Sequence, residues 1–201
     1  MRNSLIILGF FAVGILAGVA GWIPEGFFGK NASTFALCAL MFCVGISLGN
    51  DSGILADIRR MDPRLLLLPL MTIIGTLTGC ALVSVLMPHY STFDCLAIGS
   101  GFGYYSLSSL FITQYKGAEM GTVALLANIM REIITLLGAP VLVRFFGKLA
   151  PISAGGATSM DTTLPVITRY SGEKYTILSI FHGFMVDFSV PFLVTLFCTI
   201  K

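Results

Sequence analysis

The strongest constraint on this chain is where charge is missing. Several windows of about 18 residues or more carry no Asp, Glu, Lys or Arg, beginning with LIILGFFAVGILAGVA after Arg2, and such a window is long enough to cross a hydrocarbon core about 30 Å thick. The 201 residues are 56% hydrophobic and only 11% charged, with a mean hydropathy of +0.91. A soluble globule of that composition would lack the polar surface needed to clothe itself. The chain therefore reads as an all-α integral membrane protein. Its net charge of +2, spread over short loops, offers no nucleic-acid surface.

Five apolar stretches predict transmembrane helices, at about residues 4–22, 33–49, 65–87, 119–145 and 175–200. The first resembles a signal peptide, with Gly18-Val19-Ala20 as a cleavage context, but its apolar run is longer than a signal core, so a retained helix is expected. Gly14, Ala17, Gly18 and Gly21 would let another helix approach closely, and Trp22 marks an interface. The loop at 51–64 carries Arg59, Arg60 and Arg64 and is expected on the cytoplasmic side, which puts the N-terminus inside. The cysteines Cys38, Cys43, Cys80, Cys95 and Cys198 have neither disulfide nor metal spacing and read as reduced packing residues. No cofactor is implied.

Two further segments, 93–113 and 150–168, are long enough to cross but are rich in Gly, Ser and Thr. The first reads FDCLAIGSGFGYYSLSSLFIT, and the second contains GGATSMDTTLP. Backbone loosened in this way is tolerated at membrane depth only where protein or a wet cavity shields it. FITQYKG at 111–117 returns as VITRYSG at 166–172, an offset that also pairs Gly101 with Gly156, Met130 with Met185 and Glu132 with Asp187. The expected organisation is a single transporter domain: three N-terminal helices over 1–90, then two units over 91–201. Each unit is a re-entrant or discontinuous segment followed by a helix, and together they form an inverted repeat. Lys and Arg counts do not separate re-entry from crossing; the inversion and the loosened backbone favour re-entry.

A charged side chain at mid-membrane costs about 2.5–3.5 kcal/mol on insertion scales, so each needs a reason. Asn128, Arg131 and Glu132 share one broad helical face with Thr135. Glu132 has two readings, a proton-exchanging carboxylate or half of an ion pair with Arg131. Asp161 either caps a short helix with its neighbours Thr158 and Ser159, or belongs to a polar site lined by Thr158, Ser159, Thr162 and Thr163. The facing segment contributes Gly101, Gly103, Tyr105, Ser106 and Ser108, where glycine permits close backbone approach and a tyrosine ring can receive an ammonium. Tyr104 and Tyr105 are equally readable as packing. His182 is a proton relay or a hydrogen-bonded helix contact. Asp187 rests on the internal repeat alone, and Asp94 reads as an interfacial cap. No nucleophile–base pair, phosphate loop or metal cage is present, so an enzyme is not expected.

The stretches SGFGYYSLS (100–108), NIMREI (128–133), GGATSMDTTLPV (155–166), FHGF (181–184) and CVGISLGND (43–51) resemble the LysO-type lysine exporters of bacterial inner membranes. That resemblance covers essentially the whole chain, although full-length members carry an extra block of helices ahead of Met1. It implies export of L-lysine and lysine analogues in exchange for protons. Glu132, Asp161 and His182 would then couple protons, with Asn128, Arg131 and Ser159 beside them. Asp187 lies outside the family pattern. The resemblance also implies a homo-oligomer, or a small membrane subunit supplying the missing helices. The rival expectations are a sodium- or anion-coupled carrier and a non-transporting assembly subunit.

Overall fold

A computed structural model describes residues 62–200, together with isolated positions between Val13 and Ile46. Two compact units divide the chain, 1–46 and 47–201, and the architecture below belongs to the second. The helices expected at 4–22 and 33–49 and the basic loop at 51–64 lie largely outside the described residues. Val13, Leu16, Ala17 and Val19 in the first, and Phe35, Ala39, Phe42 and Ile46 in the second, are helical.

The described residues are helical throughout their regular structure. A 3₁₀ turn, Leu65–Leu67, leads into α1, Leu68–Ser84. Two short helices follow, α2 (Thr92–Gly99) and α3 (Tyr105–Lys116), and then the long α4, Ala118–Phe146. The pattern recurs with α5 (Ala150–Gly155), a 3₁₀ turn (Gly156–Met160), α6 (Leu164–Ser171) and α7 (Thr176–Thr199), the last preceded by a 3₁₀ turn at Glu173–Tyr175. Three stretches are long and apolar enough to cross a membrane: Leu65–Ser84, Ala118–Phe146 and Glu173–Thr199, of 20, 29 and 27 residues. At 1.5 Å per residue even the shortest reaches about 30 Å. They match the third, fourth and fifth expected helices, and the protein is a multi-pass helical membrane protein.

The two polar segments behave differently from the long helices. Each is broken in the middle, and its second leg returns toward the end at which its first began. Ser91 and Asp94 form a capping box at the start of α2: the Ser91 hydroxyl accepts from Asp94 N, and the Asp94 carboxylate accepts from Ser91 N, both at 3.1 Å. Asp94 is thus a cap, as its position near an end suggests. The same carboxylate lies 3.1 Å from Lys116 Nζ at the far end of α3, so α2 and α3 have one end in common. For the second segment the marker is apolar. Ile152 of α5, Ile167 of α6 and Leu178 of α7 form a buried cluster joined by Leu149 and Tyr175, together with Leu65 and Leu68 from the beginning of α1. The outer ends of the first segment lie toward the finish of α7, and those of the second toward the starts of α1 and α7.

Both second legs stop in the same way. Gly117 (φ 93°) and Gly172 (φ 107°), 55 residues apart, take the left-handed backbone that glycine tolerates and end α3 and α6. Each then starts the longest helix of its half, α4 or α7.

Candidate functional site

The two breaks meet tip to tip. The first spans residues 100–104, where Phe102 (φ 46°) and Gly103 (φ 95°) are left-handed; the second opens at Gly156 (φ 62°). Ala157 N donates to the Phe102 carbonyl at 2.9 Å, a backbone hydrogen bond between the segments. A methyl group on Gly156 would collide with that carbonyl, and one on Gly103 would press on the Gly155 carbonyl. Glycine at these two positions is what allows two backbones to touch.

Helix α4 stitches both breaks with two side chains one turn apart. Asn128 is buried; its Oδ1 accepts from Gly103 N at 2.8 Å, and its Nδ2 donates to the carbonyls of Ala124 (2.9 Å) and Ile98 (3.2 Å). Arg131 donates from Nε to the Ala154 carbonyl at 2.8 Å and from Nη2 to the Ser153 carbonyl at 3.0 Å, with Nη1 3.3 Å from Thr76 Oγ1. Its guanidinium also lies 5.8 Å from the centre of the Phe102 ring. Arg131 therefore faces the carbonyl end of α5, where the helix dipole is negative, and is not paired with Glu132. Among the described residues Glu132 makes neither a hydrogen bond nor an ion pair. It is half-buried, on the flank of α4 away from Arg131 and next to Asn128.

The hydroxyls of the second break point inward. Thr158 Oγ1 donates to the Gly155 carbonyl and Thr163 Oγ1 to the Thr158 carbonyl, both at 2.9 Å. Ser159 Oγ lies 2.8 Å from the Gly156 carbonyl and 3.0 Å from His182 Nδ1, while Ser179 Oγ donates to the Ser159 carbonyl at 2.8 Å. His182 is fully buried, and its Nε2 lies 2.9 Å from Thr72 Oγ1. Both ring nitrogens are thereby engaged, and the imidazole clasps α7 to the second break and to α1.

The sequence-predicted site thus divides in two. Gly101, Gly103, Ser108, Asn128, Thr158, Ser159, Thr163 and His182 are buried and Arg131 half-buried, bonded or packed within and around the two breaks. Tyr105, Ser106, Asp161 and Thr162 are exposed, and Glu132 is half-exposed. Asp161 terminates the 3₁₀ turn with its carboxylate on its own neighbour, accepting from Thr162 N at 2.5 Å, and not on a following helix. Thr158 and Ser159 likewise cap no helix. Sequence reasoning missed Thr72 and Thr76, one turn apart on α1, which meet His182 and Arg131. The spacing was visible, but threonine on an apolar helix is too common to be a signal. Both carboxylates, Asp161 and Asp187, lie near enough to the Tyr104 hydroxyl to act on it through space.

A multi-pass helical membrane protein in which two glycine-broken segments meet beside acidic side chains has the build of a solute carrier. The chain belongs to the lysine exporter family: the family model described as "Lysine exporter LysO" matches residues 8–198. It is 32% identical over 197 residues to "Lysine exporter LysO" of Escherichia coli (strain K12), covering 97% of this chain and 64% of that protein. To a "Putative lysine exporter" of Haemophilus influenzae (strain ATCC 51907 / DSM 11121 / KW20 / Rd) it is 30% identical over 185 residues, covering 91% of this chain and 93% of that one. No solved structure matches.

Proposed function

We propose that this chain exports L-lysine across a bacterial inner membrane in exchange for protons, with both broken segments re-entrant from opposite faces as an inverted repeat. What carries the reading is the tip contact, the 2.9 Å hydrogen bond from Ala157 N to the Phe102 carbonyl, beside acids that the described residues leave without a basic partner. Family membership supports lysine as the solute. The shared ends of α2 with α3 and of α5 with α6 support re-entry, and the matching glycines at 117 and 172 support the repeat.

The chemistry suits an amino acid with a second ammonium. Helices α3 and α6 start near the tips without side-chain caps, so their positive dipole ends face the middle of the bundle, where an α-carboxylate would be welcome. Asp161 and Glu132 supply negative charge for ammonium groups. Both are assigned to proton coupling, each alternating between a proton and the substrate cation. His182, bonded at both nitrogens, is assigned the positioning of the second break. Tyr105, Ser106 and Thr162 form the accessible lining. The chain spans 64% of the length of its E. coli relative, and we propose that a second copy or a small membrane subunit completes the shield around the site.

The test is flux from vesicles loaded with lysine and reconstituted with the chain, alone and with a co-purifying membrane partner. Saturable lysine efflux that acidifies the loaded side is expected, with Glu132→Gln and Asp161→Asn abolishing it. Flux driven by sodium, chloride or citrate in place of lysine would overturn the substrate, and absence of flux in every arm would overturn transport.

A further inference from the structure

Asp187 stands apart from every motif above, and its surroundings make it more than a repeat partner of Glu132. It is 8% exposed, and its Oδ1 is buried without a hydrogen-bond partner among the described residues. A buried carboxyl left this way holds a proton or faces a cation, since desolvating an unpaired charge is expensive. The only ion pair among the described residues is Asp94 with Lys116, at the mouth of the first segment, so no cation among the described residues serves Asp187.

Its position follows from the packing of α7 on the second break. Gly183 lies so close to Met160 that a methyl group there would strike the Met160 backbone nitrogen, and Ser179, one turn earlier, bonds to Ser159. Asp187 is one turn beyond Gly183, about 6 Å along the axis, and Asp161 is one residue beyond Met160. The packing of α7 on that turn therefore brings Asp187 close enough to Asp161 for the two to interact through space. From the first break Tyr104, next to the Gly103 that lies against Gly155 and Thr158, is near enough to both to interact through space. Two carboxyls and a phenol drawn from three elements converge there without a basic residue among them.

We propose that Asp187 is a ligand for the transported cation, forming with Asp161 and Tyr104 a pocket for a primary alkylammonium. The inference rests on the lysine-export reading and deepens it. Asp161, exposed on the accessible side, meets the ammonium first, and Asp187 receives it at the end of the path. Tyr104 closes the pocket with an aromatic body and a hydroxyl, a wall suited to an alkylammonium stem. Recognition at this pocket then depends on the side-chain amine, the α-carboxylate being left to the helix ends.

Binding to the detergent-purified chain, measured by titration calorimetry with L-lysine, 1,5-diaminopentane and L-norleucine, tests this. Wild type should bind the first two and not norleucine, which lacks the second ammonium. Asp187→Asn should weaken both amines by about tenfold or more, the loss expected when a charge-assisted hydrogen bond is removed. Binding of lysine by Asp187→Asn within twofold of wild type overturns the inference and leaves lysine export standing, whereas wild type that binds neither amine overturns both. Should the variant fail to fold, the same question is put to wild type with dicyclohexylcarbodiimide. Labelling of Asp187 that saturating diaminopentane blocks is expected; absence of labelling, or labelling that the diamine leaves unchanged, overturns the proposal.

Discussion

Asn128→Leu isolates the contribution of the stitching between α4 and the first break. Leucine has the same branched skeleton with bulkier methyl ends, so the change removes polar contacts without opening a cavity. The Gly103 N–H loses its acceptor and is the one buried group orphaned, because the Ile98 carbonyl still accepts from Gly101 N at 3.2 Å. An orphaned buried donor costs about 1–3 kcal/mol, and the two lost Nδ2 bonds add roughly 0.5–1 kcal/mol each. Burying a leucine side chain in place of an amide returns about 1–2 kcal/mol. The net loss is about 1–3 kcal/mol, which for a domain of this size lowers the unfolding midpoint by roughly 3–10 °C. Heating detergent-solubilised protein and following the surviving monodisperse peak by size exclusion reads that shift. Val141→Leu, on an exposed position of the same helix, should leave the midpoint where it is. An Asn128→Leu midpoint equal to wild type would refute the claim that this amide supports the break.

Other substitutions separate scaffold from chemistry. Gly156→Ala should abolish lysine flux and destabilise the fold, because the added methyl collides with the Phe102 carbonyl; Gly117→Ala, with the same sign of φ but open space around it, should cost only about 1–2 kcal/mol of backbone strain in the same heating assay. His182→Gln should lower the unfolding midpoint and leave the pH profile of lysine flux unshifted, because the imidazole is a clasp between hydroxyls; a displaced profile would return it to proton coupling. Lys116→Ala should cost at most about 1 kcal/mol, since its pair with Asp94 is partly exposed. Burial works to raise the Asp94 pKa, but hydrogen bonds from Ser91 and Lys116 outweigh it, so the folded value is depressed. That contribution is therefore present above the ordinary carboxylate range and lost as pH falls through the lowered value, and Lys116→Ala should soften the acid end of the stability curve.

Much of the fold was legible because lipid imposes simple rules. Long charge-free runs specify spanning helices, and α1, α4 and α7 fall within a few residues of the expected bounds. The broken segments were legible as broken because glycine and hydroxyls crowd where a spanning helix needs leucine. Which side chains would line the site and which would brace it was not legible. Ser108, Thr158, Ser159 and Thr163 have the composition of a binding surface, yet each hydroxyl bonds to a backbone carbonyl of its own segment. A break in a helix frees carbonyl and amide groups, and nearby hydroxyls satisfy them first; sequence cannot tell that use from ligand binding. Arg131 misled for a similar reason. The adjacent Glu132 was the obvious partner in sequence, but consecutive residues on a helix point about 100° apart, and the guanidinium found the carbonyl end of α5.

The destination of Arg131 bears on the proposed function more than its own bonds do. A buried guanidinium must be compensated, and a carboxylate would have been the strongest partner. Had Glu132 served, one of the three acids near the tips would have been neutralised permanently. Backbone carbonyls at a helix end carry partial negative charge and do not titrate, so they hold Arg131 without removing an acid from exchange. Glu132, Asp161 and Asp187 then remain available for protons or ammonium groups. Moving a lysine cation outward against an inside-negative potential costs about 2.3 kcal/mol per 100 mV, and one proton moving inward through the same acids cancels that charge. Anchoring the cation to backbone would thus let the proposed site contain an arginine and still act as a net acidic one.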